Sequence, residues 1–215
     1  MQVKISQGNS KMGSIPSVSL PSGVTCRSDC ECNKKCYAKR LERLRPSVKA
    51  AYQSNLDLLN SDRDTYWREV EATIMMSRFF RFHVSGDIPN IEYLYAMVNI
   101  AIRNPHCEIL CFTKKYDIVN AYIDNYNFKY SDCEDEFKPH GGAFPKNLHI
   151  VFSVWRGLEV DNKYKLPEAH VRYRDGSTTA RADAKECGGN CTECARTDEG
   201  CWILKSGEQV VFNEH

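Results

Sequence analysis

Cysteine placement constrains this chain more than any other feature. Of its 11 cysteines, four lie within residues 26–36 and four within 187–201, leaving only Cys107, Cys111 and Cys133 between them. A disulfide framework spreads its cysteines through a chain and needs an oxidising compartment. Met1 to Gly13 is polar, without the apolar stretch of a signal peptide. No apolar run reaches the ~18–20 residues of a membrane span. The chain is therefore expected in the cytoplasm, without a membrane partner, where clustered thiols hold metal or exchange electrons.

The C-terminal group reads C-x3-C-x2-C-x6-C, with ligands Cys187, Cys191, Cys194 and Cys201 and a tight turn at Gly188-Gly189. Spacings of two and three let neighbouring sulfurs reach different irons of one cubane. A structural zinc ion is instead gripped by two short-spaced pairs set further apart. Three thiols followed by one suit a cube better than a single ion and predict an iron–sulfur cluster, with zinc and unligated redox thiols as the alternatives. The N-terminal group is Cys26-x3-Cys30-x-Cys32-x3-Cys36. Cys30 and Cys32 do not easily serve one iron, so Cys26, Cys32 and Cys36 are the expected ligands, with buried structural cysteines as the alternative. A cubane on three thiolates leaves one iron open to a small molecule, whereas a four-thiolate cubane is closed and suits a structural or electron-relaying role. The expectation is one or two [4Fe-4S] clusters.

Between the groups the sequence predicts an α/β fold with a mainly parallel sheet. Ile15 to Leu20 reads as a short strand. Lys35 to Met76 has helical spacing of apolar residues, broken at Asn60-Ser61-Asp62. Phe79 to Val84, Cys107 to Thr113 and Leu148 to Val154 read as strands, with His170 to Arg174 a fourth. Helices are expected over Glu92 to Arg103 and around Asp117 to Asp124, and residues 125–146 as an irregular insertion. Alternating strands and helices imply right-handed crossovers, and functional groups then gather at the carboxyl ends of the strands. The whole chain reads as one domain, with a cysteine loop over 1–40, an α/β core over 41–180 and a cysteine segment over 181–215.

The composition, 42% apolar and 27% charged with a net charge of +1, is that of an ordinary globular domain with no overall pull toward nucleic acid. One local exception is the run Lys34, Lys35, Lys39, Arg40, Arg43, Arg45 and Lys49, in which Glu42 is the sole acid. It reads as a solvated helix face, or as a contact surface for an anion or nucleic acid. His83, Ser85 and Asp87 are expected on one face at the end of a strand, as a structural turn or a small-molecule contact. Lys114, Lys115, Trp155 and Arg156 stand at two other strand ends and predict a cationic, partly aromatic pocket. His149, His170 and His215 read as satisfied core or surface residues. No phosphate-binding glycine loop or hydrolase motif is present.

At the level of layout the chain resembles radical S-adenosylmethionine enzymes, which carry a three-cysteine loop before the first helix of a barrel and often an auxiliary C-terminal cluster. That resemblance implies a partial barrel and a contact of Ser85, Gly86 and Asp87 with S-adenosylmethionine, since Ser85-Gly86-Asp87-Ile88-Pro89 occupies the place of the loop that holds the methionine amino group. The spacing C-x3-C-x2-C itself stands at Cys187–Cys194. Six stretches also resemble the phage and mobile-element family called gene product eighty-eight: Gly8 to Gly13, Cys36-Tyr37-Ala38, His83 to Asp87, Phe112 to Lys115, Phe152 to Trp155 and the C-terminal cysteine block. The sequence thus predicts an iron–sulfur protein of phage type, with radical redox chemistry as its sharpest form and a small molecule or an electron donor as partner. A zinc-stabilised module binding nucleic acid or protein and an electron-transfer or redox-sensing protein are the other readings.

Overall fold

A computed structural model describes residues 2–133, 139, 142–197 and 199–214. Its strands are β1 (Ile5–Ser6), β2 (Ser17–Val18), β3 (Phe79–Phe82), β4 (Glu108–Thr113), β5 (Leu148–Ser153), β6 (Glu168–Arg172), β7 (Lys185–Glu186) and β8 (Gln209–Asn213). They form one eight-stranded sheet in the order β1-β2-β3-β4-β5-β6-β8-β7. Only β1 and β2 pair antiparallel; every other ladder is parallel. Among the described residues no ladder joins the edges β1 and β7, so the sheet is open. The α/β architecture and the mainly parallel sheet are as the sequence predicts.

The helices are α1 (Tyr37–Leu44), α2 (Pro46–Ser61), α3 (Arg63–Met75), α4 (Ile91–Arg103), α5 (Tyr116–Lys129) and α6 (Cys191–Arg196). The single break expected in the first helical stretch becomes two. Pro46 lacks an N–H and takes the first position of α2, where none is needed, so the chain turns at Arg45. Asp62 then accepts the Thr65 N–H and caps α3. Asn90 caps α4 in the same way through the Tyr93 N–H, at 2.9 Å.

Alternation along the strands sorts side chains to two faces. Phe80 and Phe82 of β3, Ile109 and Cys111 of β4, and Ile150 and Phe152 of β5 join residues of α2 to α5, among them Tyr66, Val70, Leu94 and Met97, in the main core. The opposite face carries Phe79, Leu110, Phe112, Val151 and Val210, and is covered by Met12, Ile15, Ala195, Trp202 and Leu204. A parallel sheet needs cover on both faces. Here helices supply one cover, and the two ends of the chain supply the other.

Three expectations are corrected. Strands β1, β7 and β8 lack a readable signal because two of them are only two residues long and the third follows a cysteine-rich turn. Helix α5 runs to Lys129, past the expected end at Asp124. The alternation expected to carry His83, Ser85 and Asp87 to one face stops at Phe82, because His83 has φ 59° and turns the chain out of the strand. Part of the insertion (134–138, 140 and 141) and His215 lie outside the described residues.

Candidate metal centre

The C-terminal cysteines sit on the face of the sheet that α2 to α5 leave uncovered. The Cys187 N–H donates to the Val211 carbonyl at 2.9 Å, which ties the segment to β8. Asn190 caps α6 through the Glu193 N–H. Trp202, in a 3₁₀ turn over Gly200–Trp202, packs edge-on to Phe79 with ring centres 5.0 Å apart. The N-terminal loop closes over the same block. The Cys191 N–H donates to the Lys11 carbonyl at 2.9 Å, and the Thr192 hydroxyl donates to the Met12 carbonyl at 2.8 Å. Gly13 makes this approach possible: its φ is 58°, and a Cβ there would lie 2.0 Å from Thr192 Oγ1.

Burial governs these thiols. It raises the proton affinity of Cys191 and Cys194, and together with the neighbouring cysteines it pushes Cys201 up to about 12. As free groups they stay protonated at neutral pH, and a cation is needed to hold them as thiolates. Arg81 and Lys11 act in that direction on Cys191, and Arg81 on Cys201.

The N-terminal group is built on a tight polar turn. Cys30 caps a 3₁₀ turn (Glu31–Lys34), its sulfur accepting the Cys32 N–H at 3.4 Å. The Cys32 thiol also donates to Cys30, which lowers Cys30 to about 6 and raises Cys32. Cys26 Sγ accepts the Gly23 N–H, and burial raises this thiol. Cys36 stands at the N-cap of α1, one residue past the expected start of the helical stretch at Lys35. Asn33 holds the loop in shape by donating to the Arg27 carbonyl at 2.7 Å. Lys114 lies close enough to favour the thiolate at Cys26, Cys30 and Cys32 alike.

All eight clustered cysteines line one cavity of about 1400 Å³. The two groups lie on either side of the core in sequence, yet the fold brings them into one chamber. Ser85, Gly86, Asp87, Lys114 and Trp155 line it too, whereas Lys115 and Arg156 do not. Arg156 lies 3.8 Å over the Tyr173 ring, pairs with Asp175 and borders a smaller cavity of about 240 Å³. Asp87 is held from three sides: its carboxylate accepts the Thr113 hydroxyl at 2.6 Å, the Lys114 N–H at 2.9 Å and the Ile88 N–H at 2.8 Å. Burial nonetheless raises its proton affinity. The Ser85 hydroxyl donates to Glu42. Gly86, with φ 80°, lets Leu20 approach so closely that a Cβ would sit 2.8 Å from the Leu20 Cβ.

Arg81 escapes sequence reasoning, and His83, expected in a structural turn or a small-molecule contact, lines the cavity beside it. Arg81 lies 4.8 Å from the Phe112 ring centre; among the described residues it has no carboxylate partner, and its Nε is buried without a hydrogen bond. A lone arginine inside the apolar strand Phe79-Phe80-Arg81-Phe82 was the available signal. His83 is 4% exposed, and neither ring nitrogen has a partner. Burial lowers it to about 3, so it is neutral at neutral pH. Among the described residues, no three Cys, His, Asp or Glu side chains converge closely enough to hold a single metal ion. No helix among them is long and apolar enough to cross a membrane.

The sequence matches the family described as Gene product 88 over residues 2–200. It is similar to the Gene 88 protein of Mycobacterium phage L5, with 29% identity over 168 residues, covering 71% of this chain and 67% of that protein. No solved structure matches the chain. The resemblance in its motifs and the match along most of its length agree: the chain belongs to the Gene product 88 family.

Proposed function

We propose that this phage-family protein is an iron–sulfur protein whose two cysteine groups serve one chamber. The observation that carries the reading is that Cys26, Cys32 and Cys36 line the same cavity as Cys187, Cys191, Cys194 and Cys201, more than 150 residues away. The donor set suits the group. Thiolates are the ligands such clusters take, and Arg81, Lys11 and Lys114 offset their negative charge. A zinc ion ~2.3 Å from each sulfur needs those sulfurs within about 4 Å of one another.

Each group has its own role in this reading. The four C-terminal thiolates would hold a closed cluster beneath Trp202. Cys26, Cys32 and Cys36 would leave one iron open at the carboxyl ends of β3 and β4, with Cys30 turning the loop and bonding Cys32. A small molecule in the chamber would then meet Ser85, Gly86 and Asp87 on one side and Lys114 on the other. S-adenosylmethionine, the ligand that the radical-enzyme layout names, has an amino group for the remaining acceptor capacity of Asp87 and a carboxylate for Lys114. When bound to reduced iron it supplies radical chemistry.

The test begins with anaerobic protein. Iron and acid-labile sulfide in near-equal amounts, with absorption near 400 nm, are expected. Cys36→Ala should lower the iron content and Cys30→Ala should not. Reduction with dithionite in the presence of S-adenosylmethionine should give 5′-deoxyadenosine. Zinc without sulfide overturns the iron–sulfur reading. Iron and sulfide without 5′-deoxyadenosine overturn the radical chemistry alone and leave electron transfer.

A further inference from the structure

The basic run of the sequence becomes a surface in the fold. Tyr37–Leu44 forms α1 and Pro46–Ser61 forms α2, and all seven cations of the run are exposed. On α1, Ala38 and Glu42 face inward. Lys39, Arg40 and Arg43 stand three and four residues apart on the opposite side, where helical side chains are neighbours. Glu42, the sole acid of the run, cannot neutralise them. It is buried, accepting the Ser22 N–H at 2.9 Å and the Ser85 hydroxyl at 3.1 Å. Lys34 pairs with Glu31, and Lys35 with Glu214. Among the described residues Lys39, Arg40, Arg43, Arg45 and Lys49 meet no carboxylate. A protein with a net charge of +1 has therefore gathered five uncompensated cations along two successive helices.

The position of this surface matters as much as its charge. Arg45 and Tyr37 line the 1400 Å³ cavity, so the basic face continues to its rim. The Tyr37 side chain remains exposed there, an aromatic surface of the kind on which an unpaired base stacks. Three of the five cations are arginines, whose planar fork matches phosphate oxygens in pairs. An acidic peptide would anchor through apolar side chains beside its charges, and among residues 34–49 Leu44 is the one large aliphatic side chain exposed.

We infer that the outward face of α1 and the start of α2 bind a single-stranded nucleic acid, whose phosphates lie along Lys39, Arg40, Arg43, Arg45 and Lys49 with a base at Tyr37. The surface does not depend on the metal reading, since none of these side chains is a thiol.

The test uses the full-length protein and a fluorescein-labelled, mixed-sequence single-stranded DNA, followed by anisotropy between 50 and 200 mM salt. Each phosphate contact contributes about −0.7 to the slope of log affinity against log salt for a single strand. The wild type is expected to bind at 50 mM and weaken steeply with salt. The triple variant K39Q/R40Q/R43Q should bind at least tenfold more weakly, with a slope shallower by about 2. Arg43→Gln alone should lose about 0.7 of slope, which preserves the test if the triple variant misfolds. Absence of binding at 50 mM salt, equal binding by both variants, or equally tight binding of polyglutamate would each overturn the inference.

Discussion

The two cysteine groups share a cavity but are built in opposite ways. The C-terminal group rests on apolar packing: Ala195, Trp202 and Leu204 press against Phe79, Leu110 and Val210, and the sulfurs lie at the edge of that cluster. The N-terminal group rests on hydrogen bonds within a polar turn, with Cys30 and Cys32 bonded to each other. The C-terminal site is thus part of the folding core, and disturbing it disturbs the sheet. The N-terminal site is a loop laid across the strand ends, and it can change without the sheet. On the proposed function, a closed site that holds structure and an open site that admits a ligand would call for this division.

The strongest way to break the comparison is to weaken each support in metal-free protein. Trp202 is 4% exposed, and Trp202→Ala should cost ~3–5 kcal/mol in denaturant unfolding. Cys32→Ser under the same conditions should cost less than ~1 kcal/mol, because it removes one weak thiol hydrogen bond. Equal losses would show that both groups are built into the core alike.

A smaller effect sharpens it. Gly13→Ala places a methyl group 2.0 Å from Thr192 Oγ1 in a left-handed conformation. Strain of this kind costs ~1–3 kcal/mol. If the proposed clusters are bound, the variant should lose part of the iron at the C-terminal group and keep that at Cys26, Cys32 and Cys36. Loss of both in parallel would mean that the N-terminal loop supports the whole chamber.

The third test uses pH. His83 lies next to Val84, whose carbonyl accepts the Tyr37 hydroxyl beside Cys36. Its folded value of about 3 lies below the unfolded value of 6.5, so the unfolded chain binds the extra proton first. Stability from this group is present above 6.5 and is lost as pH falls from there toward 3. By pH 5 the loss should reach about 2 kcal/mol. His83→Asn, which tolerates a positive φ, should flatten melting temperature between pH 7 and 5. An unchanged slope would show that His83 finds a partner or ionises without cost.

Much of this was legible in the residues. Strands β3, β4 and β5 announce themselves through Phe79-Phe80, Ile109 to Phe112 and Leu148 to Phe152, because strands buried on both faces read as continuous apolar runs. The caps at Asp62 and Asn90 carry their own local chemistry. What could not be read was long-range. Nothing near Cys26 says that Cys201 lies across the same cavity, and nothing near Gly13 says that Thr192 packs on it. Those pairings are fixed only when β8 joins β6. His83 broke the expected alternation for a related reason: tertiary packing against Tyr93, with ring centres 5.3 Å apart, overrides the local strand pattern.

Strand β8 pairs with β6 on one side and with β7 on the other, so β7 has no place in the sheet until residues 209–213 have been made. The loop at Lys11 and Met12 likewise waits for Cys191 and Thr192. On the ribosome, where chains emerge at ~5–20 residues per second, the helical half can fold while the thiols at the front stand open. The chamber therefore closes only after residues 187–213 have been made, and a cluster of the kind proposed would load after that point rather than while the front thiols emerge.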